Sequence, residues 1–203
     1  MLRKALANAL NLRSVAFEDV SGSQRNDPAL IDTLVGTERK GLVWSLLHSG
    51  LQTLSLSKMH LNDRHLTAIV KMLPTSQLKC LIVTNNDIQS PGTSILEFAR
   101  QLPMITSLKY VFLDMNPWGK THEGREECYA ALLQGMEGNY SIECMLFMWR
   151  DCYPLKILLN YYINLNNVGR RILASSKAVP VGIWPLILER AGKKCGTYVN
   201  HSG

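Results

Sequence analysis

The chain has 203 residues, enough for one sizeable core or two small ones, and 46% hydrophobic against 19% charged residues is the balance of a folded protein, not a disordered one. No apolar run reaches the roughly 18 residues of a membrane span, and the first residues do not read as a secretory signal. The net charge of +6 is unevenly placed: Met1 to Pro154 carries 15 basic and 15 acidic residues, whereas from Leu155 onward seven basic residues face Glu189 alone.

In chain order, MLRKALANALNLRS is basic, helix-forming and free of acids until Glu18. It reads as a helix leading into a strand, although an organelle-targeting leader has the same composition. Leu12, Val15 and Phe17 begin an apolar template with residues at positions 1, 4 and 6, and Val20 stands at position 9. A turn-rich insertion is expected over Ser21 to Lys40. Leu51, Leu54, Leu56 and Leu61 repeat the template, with Met59 at position 9. Leu78, Leu81, Val83, Asn86 and Ile88 fill every slot, as do Leu108, Val111, Leu113, Asn116 and Trp118. Ile142, Met145 and Phe147 begin a degenerate copy that continues to Arg150 and Cys152. The starts are 39, 27, 30 and 34 residues apart, an interval of repeat architectures.

Helical periodicity fills the gaps. His65 to Leu73 places Leu66, Ile69, Val70 and Leu73 on one face. Ser90-Pro91 is a helix start, followed by Ile95, Leu96, Ala99 and Leu102. Gly124 to Met136 offers Ala130, Leu132, Leu133 and Met136. Pro74 and Pro103 are expected to close the first two helices. After Pro154 no template copy is visible. Leu155 to Leu165 is apolar, Arg170 to Ala174 is a short basic helix, and WPLILERA (Trp184 to Ala191) is another.

The template LxxLxLxxNxL, clearest in LKCLIVTNNDI (Leu78 to Ile88) and LKYVFLDMNPW (Leu108 to Trp118), resembles the ribonuclease-inhibitor-like branch of the leucine-rich repeat superfamily. That resemblance implies an α/β solenoid, a parallel concave sheet with helices on the convex side. About five repeats would span Met1–Tyr153, the first and last degenerate, and Pro154–Gly203 would form a helical, basic C-terminal cap or tail. In that family the position-9 asparagine bonds the backbone of the turn after the strand, so Val20, Met59 and Arg150 put the turns of their repeats in doubt.

Catalytic chemistry finds no foothold. Gly119-Lys120-Thr121 lacks the glycine a phosphate loop needs at Asp114. His60 and His65 are five apart, not four, and His48, His122 and His201 are isolated. Cys80, Cys128, Cys144, Cys152 and Cys195 form no CxxC pair and read as reduced thiols of a cytoplasmic protein. Glu123, Glu126 and Glu127 suit the N-terminus of a helix. The asparagines of Asn139-Tyr140-Ser141 and Asn200-His201-Ser202 are read as unglycosylated. The reading is no enzyme, no cofactor, no metal and no small-molecule substrate.

Positions 3, 5 and 7 of each copy should face outward. They run Ser14, Ala16, Glu18; Thr53, Ser55, Ser57; Cys80, Ile82, Thr84; Tyr110, Phe112, Asp114; Cys144, Leu146, Met148. The face begins polar and ends aromatic and apolar, the composition of a contact. A protein partner is therefore expected on Tyr110, Phe112, Asp114, Leu146 and Met148, unless the C-terminal helices fold over them. The alternatives are a nucleic acid or membrane surface met by Arg170, Arg171, Lys177, Lys193 and Lys194, or regulation of a nuclease or GTPase by family analogy.

Overall fold

A computed structural model describes residues 12–18, 28–36, 41–89, 93–117, 122–147, 153–170, 181–186 and 189. Five strands, β1 (Ser14–Glu18), β2 (Thr53–Ser57), β3 (Cys80–Ile82), β4 (Tyr110–Phe112) and β5 (Cys144–Leu146), form one parallel sheet in sequential order. The helices are α1 (Pro28–Val35), α2 (Leu42–His48), α3 (Asp63–Val70), α4 (Thr93–Gln101), α5 (His122–Gly138) and α6 (Tyr153–Asn167). The fold is α/β, with each strand joined by a crossover to its parallel neighbour.

The register is the template's register. Val15 pairs with Leu54, Leu54 with Leu81, Leu81 with Val111, and Val111 with Met145, so like positions align across the whole sheet. Positions 1, 4, 6 and 11 bury completely in the two middle copies: Leu51, Leu54, Leu56 and Leu61, then Leu78, Leu81, Val83 and Ile88. Each such side chain contributes about 1.5–3 kcal/mol by leaving water. Leu12, Val15 and Phe17 are only partly buried, and among the described strands β1 has the single neighbour β2.

Between strand and helix the chain places a left-handed residue at the same position three times. Lys58, Asn85 and Met115, all at position 8, adopt left-handed φ angles of 57°, 54° and 58°. The turn that carries Met59 differs from the other two in one respect, since His60 is left-handed as well, with φ 52°. The asparagine of the next unit bonds the backbone of this turn. Asn86 Oδ1 accepts from the N–H groups of Met59 (2.9 Å) and Leu61 (3.1 Å), and its Nδ2 donates to the carbonyls of Leu56 (2.8 Å) and Thr84 (3.1 Å). Asn116 repeats the device one unit later, accepting from Asn86 N–H at 3.0 Å and donating to Val83 O at 2.8 Å.

Several expected elements are corrected. The insertion Ser21 to Lys40 is not turn throughout, since Pro28–Val35 is helix α1, whose apolar Ile31, Leu34 and Val35 are buried. It packs on α2 and α3. Helix α3 starts at Asp63, capped by Asn62, whose side chain accepts from Arg64 and His65 N–H while His65 Nδ1 accepts from Asn62 N–H. That bond leaves His65 Nε2 as the donor to Asp32 Oδ1 on α1, at 3.1 Å. Pro74 and Pro103 do not end helices directly: α3 and α4 stop at Val70 and Gln101, and each proline sits in a following 3-10 turn, Leu73–Thr75 and Leu102–Met104. On α5 the buried face is Cys128, Tyr129, Leu132, Gly135 and Met136, while Ala130 is exposed and Leu133 half-buried. The start of the Met1 to Ser14 helix, Val20, Ser90-Pro91, Trp118, Arg150, Cys152 and most of the two later tail helices lie outside the described residues.

Helices α3 to α6 pack neighbour on neighbour. Gly135 sets the α4–α5 distance, because a Cβ there would sit 2.3 Å from the backbone oxygen of Ala99. Gly135→Ala should cost about 1–3 kcal/mol by forcing the helices apart, read as a lower urea midpoint. Asn86→Ala strands the buried N–H groups of Met59 and Leu61 and should cost about 3 kcal/mol or more. Asn62→Ala, which loses an exposed cap, should cost only about 1 kcal/mol, so equilibrium unfolding of both variants ranks the two asparagines.

Candidate functional site

Pleating sends positions 3, 5 and 7 to the side of the sheet away from the helices. None of the described residues at these positions is buried. Ser14, Ala16 and Glu18 are exposed on β1, and Thr53, Ser55 and Ser57 half-exposed on β2. Hydroxyls join, with Ser57 Oγ 3.0 Å from Thr84 Oγ1 of the next unit and 3.3 Å from Ser55 Oγ on its own strand. Lys58 Nζ reaches Glu18 Oε1 at 2.7 Å, and the Glu18 carboxylate holds the Lys58 ammonium above its ordinary pKa.

The other half differs in chemistry. Ile82, Phe112 and Leu146 stand side by side in register. Leu146 is 48% exposed and Tyr110 40% exposed. Tyr110 lies between Cys80 and Cys144 in the adjoining row, and its hydroxyl donates to Glu143 Oε2 at 3.4 Å. Lys109 Nζ holds the other oxygen of Glu143, so the tyrosine ring is framed by an ion pair at its polar end. Of the expected contact residues the structure brings Tyr110, Phe112, Asp114 and Leu146 onto one face, while Met148 lies outside the described residues. Helix α6, the first of the tail, packs on α5 in the helix row.

The other sequence candidates disperse. His60 Nδ1 is 2.9 Å from Asp87 Oδ2 at the surface, and buried His65 serves the α3 cap and Asp32. His48 stacks on Trp44 with ring centroids 4.3 Å apart, and its Nδ1–H donates to the Trp44 carbonyl. These two line a cleft of about 410 Å³ on the helix side with Lys71 and Met72. His122 is 3.7 Å from Glu126 on the first turns of α5. Among the described residues no group of three or more His, Cys, Asp or Glu side chains is placed to hold a metal, and no helix is long and apolar enough to cross a membrane. Gly119-Lys120-Thr121, Cys195, His201 and Asn200 lie outside the described residues. Asn139 is buried, with Nδ2 donating to the carbonyls of Leu102 (2.7 Å) and Ile105 (2.9 Å), so it cannot accept a glycan in the folded chain.

Solved structures supply the comparison. Leiomodin-1 actin-binding site 2 superposes with a TM-score of 0.65 at 14% identity, over 84% of this chain and 90% of that one. The tropomodulin C-terminal domain of Caenorhabditis elegans gives 0.64 at 15% identity, over 87% of this chain and 100% of that one. The fold is leucine-rich-repeat-like. At these identities the likeness concerns fold alone. No family model matches, and no curated protein does.

Sequence reasoning missed what Arg170 does. Its guanidinium lies 4.7 Å from the Tyr140 ring centroid and 4.8 Å from that of Tyr162, and donates to the carbonyls of Met136 (3.0 Å) and Glu137 at the end of α5. One of the five cations offered for an anionic surface is thus engaged within the fold; Arg171, Lys177, Lys193 and Lys194 lie outside the described residues.

Cys80 and Cys144 are unbridged, and partial burial pushes both thiols above their ordinary pKa. A raised pKa keeps the neutral thiol at neutral pH. Iodoacetamide at pH 7.5 should therefore modify both more slowly than the same cysteines in the urea-unfolded chain, as followed by peptide mass mapping, and their rates should rise as pH passes above 9.

Proposed function

We propose that the chain is a non-catalytic protein-interaction scaffold of the leucine-rich repeat solenoid type, ribonuclease-inhibitor-like in its long repeats. In this reading Met1–Tyr153 is the repeat domain, Pro154–Gly203 is its helical C-terminal cap, and the cysteines stay reduced in the cytoplasm. A protein partner binds the concave face through Tyr110, Phe112, Asp114, Leu146 and Met148. The observation that carries the proposal is the registered apolar row Ile82, Phe112 and Leu146 beside Tyr110, with Tyr110 and Leu146 open to solvent. Aromatic and apolar side chains on a rigid sheet contribute binding energy with little ordering cost.

Leiomodin-1 carries an actin-binding site on this fold, which makes actin the first partner to assay. Tyr110→Ala with Leu146→Asp should lower partner recovery on the immobilised chain about 30-fold, corresponding to about 2 kcal/mol for hot-spot loss. The urea midpoint should hardly move, because both side chains are already exposed. Undiminished recovery with the fold intact would place the partner elsewhere on the molecule. A lost fold would make these residues part of the core.

A further inference from the structure

In each unit the carbonyl at position 2 accepts two N–H groups from the next. Arg13 O receives Gln52 and Thr53 N–H, Gln52 O receives Lys79 and Cys80, Lys79 O receives Lys109 and Tyr110, and Lys109 O receives Glu143 and Cys144, all between 2.8 and 3.0 Å. Glu143 O is the fifth carbonyl of this row, and among the described residues no sixth strand follows β5. A side chain fills the vacancy: Asn167 Nδ2 donates to Glu143 O at 2.7 Å. Beside it Asn166 Nδ2 donates to Ile142 O at 2.9 Å and to Asn139 O at 3.2 Å. Three residues on, Arg170 seizes the last carbonyls of α5 between two tyrosine rings.

We infer that Asn166, Asn167 and Arg170 are the stop of the hydrogen-bond ladder, and that the β5 edge they occupy is a masked strand-acceptor site for the β1 edge of a second copy of this chain. The partner follows from the ladder's own chemistry. The donors that fit Glu143 O are the N–H groups at positions 2 and 3 of a copy of the template. At the opposite end of the sheet Arg13 and Ser14 hold those positions, with no described strand beyond β1. Joining the two edges would continue the parallel sheet in register. Because the contact is head to tail, it would run on from copy to copy into rings or filaments. Asn167 supplies the donor without offering a further edge. This inference is independent of partner binding on the sheet face.

Asn167 is exposed, so its replacement leaves the core untouched. Asn167→Asp, which keeps the shape and removes the donor, and Asn167→Ala are compared with the unaltered full-length chain by sedimentation velocity over a hundredfold concentration range. The unaltered chain should sediment unchanged. Both variants should shift to larger species as concentration rises, and adding Ser14→Pro, which deletes one of the β1 donors at an edge that tolerates proline, should restore the smaller species. Variants that stay unassociated with a normal unfolding transition overturn the inference, as does association that Ser14→Pro leaves intact. Loss of cooperative unfolding in both variants assigns Asn167 to fold stability instead and overturns it equally.

Discussion

The stack rests on carboxamides that serve the backbone of the unit before them. A parallel strand–turn–helix array leaves peptide groups in the turns that no strand can pair, and burying them unpaired costs about 1–3 kcal/mol each. Asn86 meets the need for the turn at Met59 by offering two acceptor and two donor contacts at once. Asn139 does the same work on the helix side, accepting from Ser141 and Ile142 N–H while donating to Leu102 and Ile105 carbonyls. The repeat unit is therefore incomplete by itself, and its turn is finished by its successor.

That dependence separates stability from recognition. The core takes positions 1, 4, 6 and 11, and the ladder takes position 2 and the asparagine, so positions 3, 5 and 7 can vary with little effect on the fold. Here they change from Ser, Thr and Ala on β1 and β2 to Ile, Phe, Tyr and Leu on β3 to β5. The sheet is held rigid by residues other than those it displays. Such a surface presents aromatic groups without having to order them on contact.

What was legible in the sequence is what repeats locally. The spacing of Leu78, Leu81, Val83 and Ile88 marked strand and buried face, because both depend only on neighbours a few residues away. Helix α1 was hidden by the glycines, serines and Pro28 around it, since turn-forming composition outweighed the short apolar run Ile31, Leu34 and Val35. The rotation of α5 was hidden for another reason: which face turns inward is decided by Gly135 against Ala99 O, a contact between helices rather than a period within one. Alternation alone put Tyr110, Phe112, Asp114 and Leu146 on one face, yet it did not reveal their setting. That Glu143 and Lys109 frame Tyr110 follows only from strand register.

The tail shows how composition misleads when partners are distant. Seven basic residues against one acid suggested a surface for anions. Arg170, the first arginine of that stretch, instead closes a helix 33 residues earlier in the chain, held between Tyr140 and Tyr162. Cations are favoured at helix C-termini, where carbonyls lack intrahelical donors, and a planar guanidinium also stacks on aromatic rings in a way lysine cannot. Asn166 and Asn167 look equally unremarkable as a polar pair at the end of an apolar helix. Their meaning appears only beside the row of carbonyls running from Arg13 to Glu143, where a donor is required and no described strand gives it. Excess charge and spare amides in a terminal segment are thus first to be matched against the unpaired backbone of the last unit, and only the remainder is available to a ligand.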